Sequence, residues 1–144
     1  MGRKPEGFTL VEIVLALTLA GFFIYGAAYS FQRLVPKFQL QSGIWEVTSG
    51  LNQARFRAIM SGVPVRVRFV PSGFVFERYD EAVKIWRTAR TASLPGVAIR
   101  ANNSPVFHPQ GTVSNLASIY VSNSRGAYRI TIAITGRIRA MRVG

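Results

Sequence analysis

Acidic side chains, the commonest catalytic bases and hard-cation ligands, are scarce in this chain: 6 Asp+Glu stand against 18 Lys+Arg in 144 residues. Glu77, Asp80 and Glu81 fall close together and have the residue types of an acid–base pair or a cation site. They have no further carboxylate and no glycine-turn ligand loop beside them, so the spacing predicts a solvated hairpin tip. His108, the single histidine, sits between Phe107 and Pro109 without companions for zinc and reads as a packed loop residue. Cysteine is absent, which removes disulfides, thiolate metal sites and a thiol nucleophile. There is no phosphate-cradling glycine loop and no nucleophile–base arrangement. The expectation is a chain that is not an enzyme and holds no metal or cofactor.

Glu12 is the acid in the most unusual place. Residues 8–31, FTLVEIVLALTLAGFFIYGAAYSF, carry no other Asp, Glu, Lys or Arg. As a helix this segment reaches about 36 Å, enough to cross a bilayer core with some tilt. A carboxylate inside such a run costs on the order of 2.5–3.5 kcal/mol to insert, which marks it as functional. Arg3 and Lys4 precede the run and hold that end on the cytoplasmic side. An ordinary secretory signal has a shorter apolar run without a carboxylate, although Gly26-Ala27-Ala28 offers it a small-residue cleavage site.

The segment Gly7-Phe8-Thr9-Leu10-Val11-Glu12 resembles the type III signal of type IV prepilins and type II secretion pseudopilins. The resemblance implies cleavage by a prepilin peptidase between Gly7 and Phe8, N-methylation of Phe8, and a filament-assembly role for Glu12. Cutting before the apolar stretch keeps the anchor and creates a cationic amine about 6 Å along the axis from Glu12. A neighbour's amine and this carboxylate can then neutralise each other where either alone would be costly. Major pilins commonly place a proline where this chain has Tyr29; here the first proline after the leader is Pro36.

Several elements follow from pattern. Pro36 and Gly43 should kink or loosen the helix. Beyond them Ile44, Val47, Leu51, Ala54 and Ala58 lie on one stripe, and Ser61-Gly62 with Pro64 is a stop signal. Val63–Val70 then alternates, with Val65, Val67 and Phe69 on one face and Arg66 and Arg68 on the other. Further strands are expected at Phe74–Tyr79, Lys84–Thr88, Val97–Arg100, Ser118–Ser122 and Ala127–Thr135. Trp45 and Trp86 read as packing residues. The fold class is α+β: a long N-terminal helix, membrane-spanning in its first half, packed on an antiparallel β-sheet or sandwich domain. The expected parts are a leader (1–7), an anchor and assembly helix (8–35), an amphipathic second half (36–62) and a β-rich domain (63–144).

Net charge is +12, and +11 once Arg3, Lys4 and Glu6 leave with the leader. Such a balance favours anionic partners. Tyr128, Ile130, Ile132 and Ile134 alternate with Arg129, Thr131, Ala133 and Thr135, so the isoleucines face a core and Arg129 faces away. Arg137 and Arg139 should project together, Arg142 should lie on a looser tail, and Arg125 sits at the preceding turn. Arg125, Arg129, Arg137, Arg139 and Arg142 could follow a phosphate backbone or an acidic protein face.

The segments 106–112, 119–121, 128–132 and 136–139 resemble the globular domain of H-type minor pseudopilins and FimT-type minor pilins. The resemblance implies a minor pseudopilin of a type II secretion system, placed at or near the tip of a periplasmic filament and anchored in the bacterial inner membrane. Its partners would be the prepilin peptidase, other pseudopilins or pilins, and membrane lipid. The FimT branch implies instead a DNA receptor for natural transformation, using the arginine cluster. Both readings stand on the sequence.

Overall fold

The computed structural model describes Gly7 and residues 9–144, the side chain of Arg33 excepted. Residues 1–6 of the leader and Phe8, the expected new N-terminus, lie outside the described residues. The chain divides into two units, Met1–Val35 and Pro36–Gly144.

The N-terminal unit holds the first part of helix α1, which runs Leu10–Ser61 over 52 residues. Thr9 caps it: the Glu12 backbone N–H donates to Thr9 Oγ1 at 3.3 Å, and Thr9-x-x-Glu12 has the spacing of a capping box. Apolar side chains from Leu10 to Phe31 are exposed all round, and the segment is long and apolar enough to cross a membrane. Its Thr18 hydroxyl donates back to the Val14 and Leu15 carbonyls (2.7 and 2.9 Å), which satisfies the polar group without a partner chain.

In the second unit Pro36 and Gly43 both lie within α1, and neither ends it. Gly43 is instead a contact position, since a Cβ there would meet Val97 Cγ2 at 3.1 Å. Gly50 does the same for Phe74, whose ring would be 2.6 Å from an added Cβ. The expected stripe is present: Val47, Leu51, Ala54 and Ala58 are buried, and Ile44 packs against the core.

Nine strands follow: β1 Val65–Val70, β2 Gly73–Asp80, β3 Ile85–Ser93, β4 Ala98–Ala101, β5 Val106–Phe107, β6 Val113–Ser114, β7 Ser118–Asn123, β8 Gly126–Ile132 and β9 Ile138–Val143. They form two antiparallel sheets, sheet A in the order β3-β2-β1-β5-β6 and sheet B in the order β4-β7-β8-β9. Val67, Phe76 and Phe107 from sheet A share one core with Ile119, Val121 and Ile130 from sheet B. The fold is α+β, as expected.

Several local expectations are corrected. β3 runs on to Ser93 rather than stopping at Thr88, because an edge strand exposed on both faces carries no alternation to read. Ile134 does not face the core; β8 ends at Ile132 and a turn over 133–137 leaves Ile134 64% exposed. Trp45 is 71% exposed on α1 and packs on nothing in the core. Trp86 does pack, edge-on to Tyr79 (5.2 Å) and under the Arg66 guanidinium (4.5 Å).

Glu77 is the largest correction, since it is no hairpin tip. It lies within β2, 6% exposed, and accepts hydrogen bonds from Arg66 Nε (2.6 Å) and Arg68 Nε (3.0 Å) of β1. Burial pushes its carboxyl up, but the hydrogen bonds from Arg68 and Arg66 and their charges outweigh this and hold it below the ordinary carboxylate range. A depressed folded value means that the stabilisation is complete above the unfolded value near 4.5 and is lost as pH falls through the folded one. Glu77→Gln is therefore expected to cost about 1–3 kcal/mol at neutral pH. It should also flatten the decline in thermal stability of the detergent-solubilised chain below about pH 4.5.

Candidate assembly and anion-binding surfaces

The candidate site residues separate into two groups. Glu12 occupies the third position of α1, where its negative charge also suits the positive end of the helix dipole. The spacing Thr9-x-x-Glu12 puts the acid in the first turn, where its backbone N–H donates to the capping Thr9 hydroxyl.

The arginines are sorted by the pleat of sheet B. Ile99, Ile119, Val121, Ile130 and Ile132 turn inward, so their strand neighbours Arg100, Tyr120, Arg129 and Thr131 turn outward. The registers Arg100↔Tyr120, Tyr120↔Arg129 and Arg129↔Met141 place these residues in one row across all four strands. At about 4.8 Å per strand, Arg100 and Arg129 flank Tyr120 at roughly 10 Å from each other. Arg139, opposite Thr131, stands in the next row on the same face. Arg137 precedes β9 at the 133–137 turn and is exposed.

Arg125 and Arg142 do not join this face. Arg125 lies in the β7–β8 turn, where its backbone N–H donates to Asn123 Oδ1 at 2.8 Å. Arg142 is not on a loose tail but in β9, paired with Tyr128, in the phase opposite to Arg139. The chain beyond Ile138 is a strand because β8 offers it an edge, which no local pattern announces. Tyr128 is core-facing as expected, but the sequence reading missed Arg100 and Tyr120. The alternations Ile99/Arg100 and Ile119/Tyr120 signalled that both point outward; that they are neighbours follows only from the strand order. No Asp or Glu follows Glu81, so the strands of sheet B carry no acidic side chain.

Behind the arginine segment stands Arg55 of α1. Its guanidinium lies against Gly111 and Gly136, which both adopt left-handed backbone (φ +81° and +80°). Arg55 Nε is buried and has no hydrogen-bond partner among the described residues. His108 Nε2 and Ser114 Oγ are 2.8 Å apart, a polar tie across the β5–β6 hairpin. Among the described residues no group of His, Asp and Glu has the spacing of a metal site.

A family model described as "Type II transport protein GspH" matches residues 45–136. The chain belongs to the GspH family. The match begins beyond Glu12 and ends at Gly136, so neither the N-terminal signal nor Arg137–Arg142 lies within it. Crystal structures of the minor pseudopilin EpsH from the type II secretion system of Vibrio cholerae are similar in fold. One has 14% identity and a TM-score of 0.63, covering 75% of this chain and 96% of that one. A second has 17% identity and a TM-score of 0.57, with coverages of 74% and 95%. The type IV minor pilin FimU of Pseudomonas aeruginosa is also similar, with 16% identity and a TM-score of 0.60, covering 73% of this chain and 90% of that one. At these identities the likeness shows the pilin-like fold. A search of curated proteins found no match.

The packing of Arg55 yields a measurable expectation for this GspH-family domain. A Cβ on Gly136 would lie 2.7 Å from Arg55 Nε, and its φ disfavours any side chain. Gly136→Ala should lower stability by about 1–3 kcal/mol. Adding Arg55→Ala should restore part of that loss in thermal melts, because the clash goes and only the backbone strain stays.

Proposed function

We propose that this chain is a minor pseudopilin of a type II secretion system, made as a prepilin, cut after Gly7 by prepilin peptidase and N-methylated at Phe8. The observation that carries the reading is the GspH family match over residues 45–136, most of the β domain and the stripe of α1 that packs on it. The exposed apolar portion of α1 supports a single membrane anchor, which in this reading crosses the bacterial inner membrane with the β domain in the periplasm. Glu12 then pairs with the amine of an adjacent subunit and sets register as the helices pack at or near the filament tip. The role is mechanical, and no step in it needs an enzyme's chemistry or a cofactor.

Sheet B favours a second reading, DNA capture during natural transformation. The row Arg100–Tyr120–Arg129 with Arg139 beside it presents charge-assisted donors and one aromatic ring on a surface without carboxylates. Phosphates can be held by such donors, and a tyrosine between them can stack a base.

Intact-mass measurement of membrane-extracted protein tests the first reading. The expected chain begins at Phe8 and carries one methyl group; a chain still starting at Met1 beside active prepilin peptidase, or one cut after Ala28, overturns it. Glu12→Ala should leave cleavage intact while cross-links to other filament subunits are lost. For the second reading, the mature chain in detergent should shift double-stranded DNA at low salt. Arg129→Ala and Arg139→Ala should each weaken binding and lower the salt slope by about one. Failure of the unmodified chain to shift DNA removes that reading and leaves the first untouched.

A further inference from the structure

A second surface, away from the arginine row of sheet B, has the features of a docking site. β3 is an edge strand of sheet A, and among the described residues no strand pairs with its outer side. Such an edge offers a row of free backbone donors and acceptors. In the β2–β3 ladder Phe76 pairs with Arg90 and Glu77 with Thr88, so Ala89 is an extra residue that bulges out of register.

Beside that bulge lies a cleft of about 350 Å³ between the last turns of α1 and sheet A. Val65, Phe76 and Ala89 line its sheet side, and Phe56 and Met60 line its helix side. Both helix residues are largely exposed, 63% and 70%, although each is a large apolar side chain. The remaining walls include Arg57, stacked 5.7 Å over the Phe76 ring, and Arg78. Among the described residues no acidic one lines the cleft. Asp80 is taken up by Arg87 at 2.7 Å, while Arg78 and Arg90 have no acidic partner among the described residues.

We propose that the free edge of β3 and this cleft together form a docking site for an extended acidic segment of a partner protein. The segment adds to β3 as a further strand, and seats one apolar side chain over Ala89 at the mouth of the cleft, toward Phe56 and Met60. Backbone pairing along β3 supplies affinity, and the cleft selects the side chain. The cations choose the charge of the partner: carboxylates beside the apolar residue meet Arg57, Arg78 and Arg90, while a basic strand meets only repulsion. Neither the anchor nor the filament reading is needed for this site, and it shares no residue with the arginine row of sheet B.

The test uses the full chain in detergent micelles and a fluorescent synthetic peptide matched to β3 in length. The peptide alternates threonine and valine around a central leucine flanked by aspartates. Fluorescence anisotropy should show saturable binding, weakened at least about tenfold by Arg78→Glu. Ala89→Trp, which fills the cleft from an exposed position, should weaken it similarly. Proline at alternate positions of the peptide should remove binding, because prolines cannot donate to the strand ladder. If either variant melts early, Arg90→Glu takes its place. The proposal is overturned if a lysine version of the peptide binds equally, or if the folded variants keep full affinity. It is also overturned if a fatty-acyl probe displaces the peptide from the cleft, or if the chain self-associates through this edge and Arg78→Glu abolishes that association. Those two outcomes would assign the cleft to a lipid tail or to a second copy.

Discussion

One stripe of α1 carries both sheets. Val47, Leu51, Ala54 and Ala58 are buried in the shared core, and the small residues between and beside them decide how closely strands approach. At Gly43 the helix surface meets Val97 and Val121, on the sheet B side. At Gly50 it meets Phe74 and Phe76, on the sheet A side. Further along, Arg55 reaches Gly111 and Gly136 in two separate turns. A larger side chain at either helix glycine would push one sheet away and open the core, since interiors tolerate little added volume. The helix is thus the template on which nine strands, many of them short, become one domain.

Charge is distributed around that template unequally. After Pro36 the acids are Glu46, Glu77, Asp80 and Glu81, and all of them precede sheet B in the chain. Glu77 and Asp80 are committed to Arg66, Arg68 and Arg87 within sheet A. Sheet A therefore neutralises part of its own charge. Sheet B has no acidic side chain with which to do so. The same net charge would mean much less if the acids were spread evenly.

Much of the fold was legible because it rests on periodicity. The helical stripe from Ile44 to Ala58, the alternation of β1 and the inward isoleucines of β8 each encode burial in local order. The pieces that were not legible lack such order. β3 is exposed on both faces, β5 and β6 are two residues long, and β9 exists because β8 leaves an edge for it. Glu77 was misplaced for a related reason: an acid near Asp80 and Glu81 looks solvated until Arg66 and Arg68 are seen on the adjacent strand.

By itself the sequence determined the long apolar run of residues 8–31 that follows Gly7, the carboxylate of Glu12 within it and the lack of an acidic side chain between Glu81 and Gly144. These are properties of contiguous residues, and hydrophobic length or local charge suffices to read them. Only the tertiary structure decided which arginines act together. Arg100 and Tyr120 join Arg129 and Arg139 on one face, while Arg142, three residues from Arg139, is turned to the other. The physical reason is the two-residue period of a strand combined with pairing between segments distant in the chain. A residue's own alternation gives its face, but its neighbours on that face come from strand order, which the packing of both sheets on α1 imposes.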